Sequence, residues 1–142
     1  MGQAREAMDR MIGGFRAKDM DKVMSALSPA VVVTSPEGVA QGHEEFSSYV
    51  ALFWEAFPDA LAAEEASAEA TRGDTAVCEV SVTATHTGPY LVAGAVIPPT
   101  GRALRLRICY VGTVEDGVIV SLREYYDQMD LLTQLGHRPE MV

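Results

Sequence analysis

The stretch Arg123-Glu124-Tyr125-Tyr126-Asp127 sets a carboxylate where a β-rich half of the chain gives way to a last helix. A carboxylate enclosed by apolar residues has its pKa lifted toward neutrality, because burial penalises its charge. A base so tuned can exchange protons with a bound molecule near neutral pH. Asp127 stands at the mouth of the helix and is the candidate for that role. His86, Tyr125 and Tyr126 are the candidate hydrogen-bond donors to accompany it. A structural role competes for Asp127: aspartate directly before a helix is a favoured N-cap, and Asp130 three residues later resembles a weak capping box. His86, at the end of a strand, also reads as a rim residue or an internally satisfied histidine. Strand parity adds a condition. In an unbroken strand Asp127 points with Arg123 and Tyr125, opposite Val118, Val120 and Leu122. Either the strand bulges near its end, or the pocket faces the more polar side.

The elements that must hold these groups follow from periodicity. Residues 118–126 are rich in β-branched and aromatic side chains and are launched by Asp116-Gly117, a strong hairpin signal. Leu131, Leu132 and Leu135 switch to helical spacing, and Gly136 ends that helix. Ala4, Ala7, Met8, Met11, Ile12 and Phe15 form one face of a first helix. Its Gly13-Gly14 pair marks a close approach, an early bend, or a tolerated pair near a helix end. Asp19 or Asp21 caps a short second helix. Residues 30–34 read as a strand and 36–38 as a turn. A third helix opens at 42–45 and carries the stripe Phe46, Tyr49, Val50, Phe53 and Phe57, with Trp54 beside it. Such a stripe is ordinarily core, and in a pocket-forming fold it is also the wall on which a flat ligand stacks.

Residues 61–70 are assigned to a strand with its glutamates in water, followed by a turn at 72–74. From 75 to 87, Ala76, Cys78, Val80, Val82, Ala84 and His86 share one face. Across 102–115, Leu104, Leu106, Ile108 and Tyr110 oppose Arg105, Arg107 and Cys109. Arg105, Arg107 and Arg123 read as convex-face residues, with Arg123 also retained as a pocket candidate. Three helices with one early strand, then a long antiparallel meander and a terminal helix, predict an α+β fold with helices over one face of a curved sheet.

Composition narrows the function classes. A chain of 142 residues suits one domain, 1–142, and a net charge of −9 disfavours nucleic acid or an anionic membrane as partner. No apolar run suits a membrane span, and the charged start does not suit a signal peptide, so a cytoplasmic location is expected. Cys78 and Cys109 read as free thiols on opposite faces. His43, His86 and His137 lack metal-ligand spacing, and no phosphate-cradling loop follows a strand, so neither metal nor cofactor is expected. The convex face, mixing Thr, Ser, Val and Arg, predicts a homodimer formed sheet to sheet.

His86-Thr87-Gly88-Pro89, Pro98-Pro99-Thr100-Gly101-Arg102, Asp116-Gly117, Tyr125-Tyr126-Asp127, and Leu131-Leu132 with Gln134-Leu135-Gly136 together resemble, in order, the SnoaL-like polyketide cyclases. Phe57-Pro58-Asp59 after an aromatic helix is similar as well. The resemblance implies the cone-shaped α+β barrel of the NTF2-like superfamily, in which a curved sheet and three helices enclose an apolar cavity. It also implies intramolecular aldol condensation of an aromatic polyketide-type substrate, without metal or cofactor. Asp127 matches the acid/base position, which would take a proton from a carbon activated by neighbouring carbonyls, and His86, Tyr125 or Tyr126 would be the donor to the enolate so formed. The expected binding wall is Phe15, Phe46, Tyr49, Phe53, Trp54 and Tyr110, with Arg123 as the polar candidate, enclosing a small apolar or aromatic molecule. The connection 90–97 is longer than the family's usual loop. Because one fold carries many chemistries, a hydroxylase-like or epoxide-hydrolase-like relative and a non-catalytic binder stand as alternatives. The limonene-type hydrolase further needs an Arg and an Asp two apart on an earlier strand, and 75–87 contains neither.

Overall fold

The computed structural model describes residues 2–69, 73–92 and 94–137. Helices α1 (Gln3–Ala17) and α2 (Met20–Ser25) come first, followed by β1 (Leu27–Ser35), β2 (Gly38–Gln41) and helix α3 (Gly42–Ala56). Then come β3 (Leu61–Glu69), β4 (Thr75–Thr85), a small hairpin of β5 (Tyr90–Val92) and β6 (Ala95–Ile97), β7 (Ala103–Glu115), β8 (Val118–Tyr125) and α4 (Gln128–Gln134). The main sheet has the order β2-β1-β8-β7-β4-β3. Its helices cover one face, as the apolar periodicities of 4–15 and 46–57 require. Ala70 and Arg72, assigned to the end of a strand and the turn after it, lie outside the described residues.

Three features depart from the expected order. The early strand is longer and is followed by a second, β2, so the sheet begins with a hairpin. The segment 90–97 forms its own two-stranded hairpin instead of a simple bend around Gly94. Most consequential, β1 runs parallel to β8, with Val33 opposite Leu122 and Thr34 opposite Arg123. Parallel pairing brings the C-terminal ends of both strands to one end of the sheet. The β1–β2 turn, with Glu37, therefore sits beside the end of β8.

The Gly13-Gly14 pair is a close approach and not a bend, since α1 runs through to Ala17. A Cβ on Gly14 would stand 2.6 Å from Val23 Cγ2, so only glycine lets α2 pack so near. Asp19 caps α2 by accepting from the Lys22 amide at 3.0 Å. Asp116 and Gly117 both take positive φ, the geometry a two-residue β7–β8 hairpin demands. Strand alternation holds on β4 and β7: Ala76, Cys78, Val80, Val82 and Ala84 are buried, as are Leu104, Leu106, Ile108 and Tyr110. Cys78 lies opposite Tyr110 and is buried, while Cys109 lies opposite Glu79; both thiols are free.

The last helix closes the far end of the sheet by a substitute for strand pairing. The β8 register on β7 stops at Tyr125 opposite Cys109. Beyond it, Gln134 offers its amide to the backbone of Arg105, accepting from its N–H and donating to its C=O, both at 2.8 Å. Those two bonds hold α4 on β7 while Leu131 and Leu135 are buried beneath it.

Candidate active site

The concave face of the sheet, α1, α3 and α4 enclose an apolar cavity lined by Phe15, Tyr49, Phe53, Trp54, Tyr110 and Tyr126, among others. Its empty space, mouth included, is about 700 Å³, yet only about 70 Å³ admits the centre of a water molecule. It is thus a slit between rings and aliphatic side chains, suited to a flat apolar molecule. Five of the expected wall residues, Phe15, Tyr49, Phe53, Trp54 and Tyr110, line it. Phe46 does not: it is fully buried in the core and stacks on Tyr49 with ring centroids 6.0 Å apart, so it backs the wall from behind.

The carboxyl group in this cavity belongs to Glu124, not to Asp127. Glu124 lies on the inward face of β8, directly opposite Tyr110 of β7, and is only 6% exposed. Among the described residues no hydrogen bond reaches its carboxyl. Burial, reinforced by the negative charge of Glu37, pushes that carboxyl up to about 8. Tyr49, Tyr110 and Tyr126 bring three phenols to the same cavity. Burial first, then the charge of Glu124, pushes the Tyr49 and Tyr110 phenols up, so both keep their protons at neutral pH. Burial likewise raises Tyr126.

The remaining expected catalytic residues lie elsewhere. From Leu122 to Tyr125 the strand is unbroken, so Asp127 follows the outward parity of Arg123 and Tyr125. Asp127 is exposed and caps α4, accepting the Asp130 amide at 3.0 Å. Arg123 is exposed on the convex side, and Tyr125 is 55% exposed there. The irregularity of β8 lies near its start, where the pairing slips between Thr113 and Val114; Ile119 and Leu122 consequently both point inward.

His86 is fully buried but lies between Phe57 and Tyr90, at centroid distances of 5.4 and 6.5 Å, and outside the cavity lining. Its Nδ1 accepts from the Thr100 amide at 3.2 Å and lies 2.9 Å from the Thr100 hydroxyl. The ring proton is therefore on Nε2, which has no partner among the described residues. Burial pushes the imidazole pKa down, keeping it neutral. Backbone bonds from His86 to Arg102 and from Gly101 to His86 complete a clasp on the 98–102 loop. In that position the imidazole and backbone of His86 tie the end of β4 to the 98–102 loop.

Glu124 had a signal in the sequence. It stands two residues beyond Leu122 and two before Tyr126, a single acid in the inward register of a strand. A second carboxylate, Glu37, lies in the neighbouring cleft that Tyr49 also lines. Tyr126 donates to Glu37 Oε2 at 3.0 Å, and the Tyr49 and Tyr126 hydroxyls are 3.2 Å apart. Among the described residues no three His, Cys, Asp or Glu side chains converge as a metal site requires.

A curved sheet, helices on its concave side and an enclosed aromatic slit define an NTF2-like α+β barrel. The chain belongs to the SnoaL-like polyketide cyclase family, whose pattern matches residues 4–135. No curated protein sequence matches it. Solved structures share the fold at low identity. A candidate SnoaL-like polyketide cyclase from Jannaschia sp. CCS1 has 21% identity and a TM-score of 0.83, covering 96% of this chain and 94% of that one. IdmH, a candidate polyketide cyclase from Streptomyces antibioticus, has 22% identity and a TM-score of 0.77, with 94% and 99% covered. An NTF2-like protein from Burkholderia pseudomallei K96243 has 19% identity and a TM-score of 0.79, with 95% and 98% covered.

Proposed function

We propose that the protein is a cofactor-independent cyclase that closes a ring of an aromatic polyketide-type substrate by intramolecular aldol condensation, with Glu124 as the acid/base. The observation that supports this reading is one carboxyl, buried without a counter-charge, facing a slit of aromatic rings and phenols. In its ionised form Glu124 takes a proton from a methylene carbon flanked by carbonyls. The resulting enolate carbon attacks a second carbonyl of the same molecule, and Glu124 returns the proton to the alkoxide so formed. Each proton removed is returned, so no external reagent is consumed. Tyr110, opposite Glu124 and in no hydrogen bond among the described residues, is in this reading the donor to the developing enolate oxygen. Phe15, Phe53 and Trp54 hold the rings flat and exclude water.

A carboxyl raised to about 8 is a stronger base than an ordinary glutamate and, once protonated, a competent acid near neutral pH. In this reading the protein works as a homodimer joined through its convex sheet face.

The test compares Glu124→Gln with Asp127→Asn. The glutamine variant should still bind a hydroxyanthraquinone, because the apolar walls supply the affinity, while turnover of a linear polyketide precursor falls by roughly 10² or more. The asparagine variant should retain turnover. Full activity of Glu124→Gln, with loss in Asp127→Asn, would return the role to Asp127.

A further inference from the structure

We propose that Glu37 is a positioning residue of this site: through Tyr126 and Tyr49 it forms the outer end of a relay that carries the proton of Glu124 between the cavity and solvent. The proposal rests on the assignment of Glu124, but its test needs no substrate.

The geometry runs as follows. Tyr126 spends its only hydroxyl proton on Glu37 Oε2, at 3.0 Å. At 3.2 Å from Tyr126, Tyr49 must then be the donor of that pair, since the Tyr126 oxygen can only accept. Both phenol protons thus point outward along one line, from α3 to the end of β8 to the β1–β2 turn. Glu37 is exposed at that turn, and the parallel pairing of β1 with β8 is what brings it across 89 residues of sequence. Tyr49 also borders the cleft between β2 and α3 that contains Glu37, so its ring separates the slit from the outside.

The inner end is open. Tyr49 and Glu124 line one cavity, and the roughly 70 Å³ there that admits a water centre exceeds what one water requires. A proton leaving the Glu124 carboxyl passes to that water. The water gives one of its own to the Tyr49 oxygen, Tyr49 passes its own to Tyr126, and Tyr126 passes its own to the Glu37 carboxylate. Each phenol gains one proton and loses one, so neither is ionised, and Glu37 releases its proton to solvent. No Lys, Arg or His lines the cavity among the described residues. The titratable groups facing Glu124 are Tyr110 on β7, Tyr49 on α3, Tyr126 after β8 and Glu37 on its turn, with Cys78 on β4 and Tyr90 on β5 behind them.

Carbon-13 NMR of protein labelled at the glutamate carboxyl, titrated between pH 5 and 10, reads both functions of the relay. In Glu37→Gln the Glu124 midpoint should move toward acid by roughly 0.5 pH or more, since a nearby negative charge is gone. Glu37→Asp should restore part of that movement. Tyr126→Phe keeps the charge but cuts the line, so proton exchange at Glu124 should slow by about tenfold or more and its resonance should broaden or split. An unmoved midpoint in Glu37→Gln, or unchanged exchange in Tyr126→Phe, with either variant folded, would overturn the proposal. Because only the free protein is titrated, that failure is separate from any failure of the cyclase assignment.

Discussion

Replacing Glu124 by glutamine should stabilise the protein, and increasingly so as the pH rises. Moving this carboxyl from its ordinary 4.5 to about 8 on folding corresponds, at about 1.4 kcal/mol per tenfold change in proton affinity, to roughly 4–5 kcal/mol. The sign follows from which state holds the proton. Below pH 4.5 the carboxyl is protonated in the folded and unfolded chains alike, and nothing is lost. Above it the unfolded chain ionises while the folded one stays neutral, so stability falls until the folded carboxyl also ionises near pH 8. Beyond that point the loss is complete. Glutamine keeps the shape and has no such slope. Urea denaturation of the wild type and Glu124→Gln from pH 5 to 9 should show curves that nearly meet at the acid end and diverge through neutrality. Other groups, including the Cys78 thiol pushed up to about 11, titrate in both proteins and cancel in the difference. Against a typical domain stability of about 5–15 kcal/mol, the effect is large. Parallel curves across the range would refute the burial argument, because they would mean that Glu124 ionises in the folded state as readily as in the unfolded chain.

Four further outcomes are expected. For a base that must be ionised, kcat/KM should rise with pH, reach half its limit near 8, where Glu124 titrates, and level off above that; a flat profile would remove Glu124 as the base. Asp127→Ala should cost about 1 kcal/mol through the lost α4 cap, and Asp127→Asn almost nothing, both read by thermal melting. Sedimentation at micromolar concentration should show a dimer, with a charge placed at half-exposed Val32 or Tyr125 on the convex face driving it toward monomer; a wild-type monomer would defeat the expectation. Thiol titration of the unreduced protein should count two free cysteines when unfolded. In the native state half-exposed Cys109 should react well ahead of buried Cys78.

Much of the architecture is legible in the residues themselves, because local rules decide it. The stripe Phe46-Tyr49-Phe53 and the alternation Leu104-Leu106-Ile108-Tyr110 state which side chains share a face, since helix and strand periods are properties of the backbone. The Asp116-Gly117 turn and the Gly136 stop are equally local, because positive φ is cheap only for a few residue types.

Which carboxylate enters the cavity is a different kind of question. Sequence determines that Glu124 and Asp127 have opposite parities along the line of the last strand, but not which parity faces the void. The slip between Thr113 and Val114 breaks any count carried forward from Val118, and the cap that Asp127 forms with Asp130 pulls it to the outside. The burial that raises Glu124 comes from α1, α3 and α4 closing over the sheet, contacts far apart in the chain. Glu37 belongs still more completely to the tertiary structure: nothing near it in sequence points to a site, and only the parallel pairing of β1 with β8 sets it against Tyr126. Periodicity assigns residues to faces because it is written in successive dihedral angles. Placing two faces around one cavity depends on sheet order and register, which are settled only when the whole chain packs.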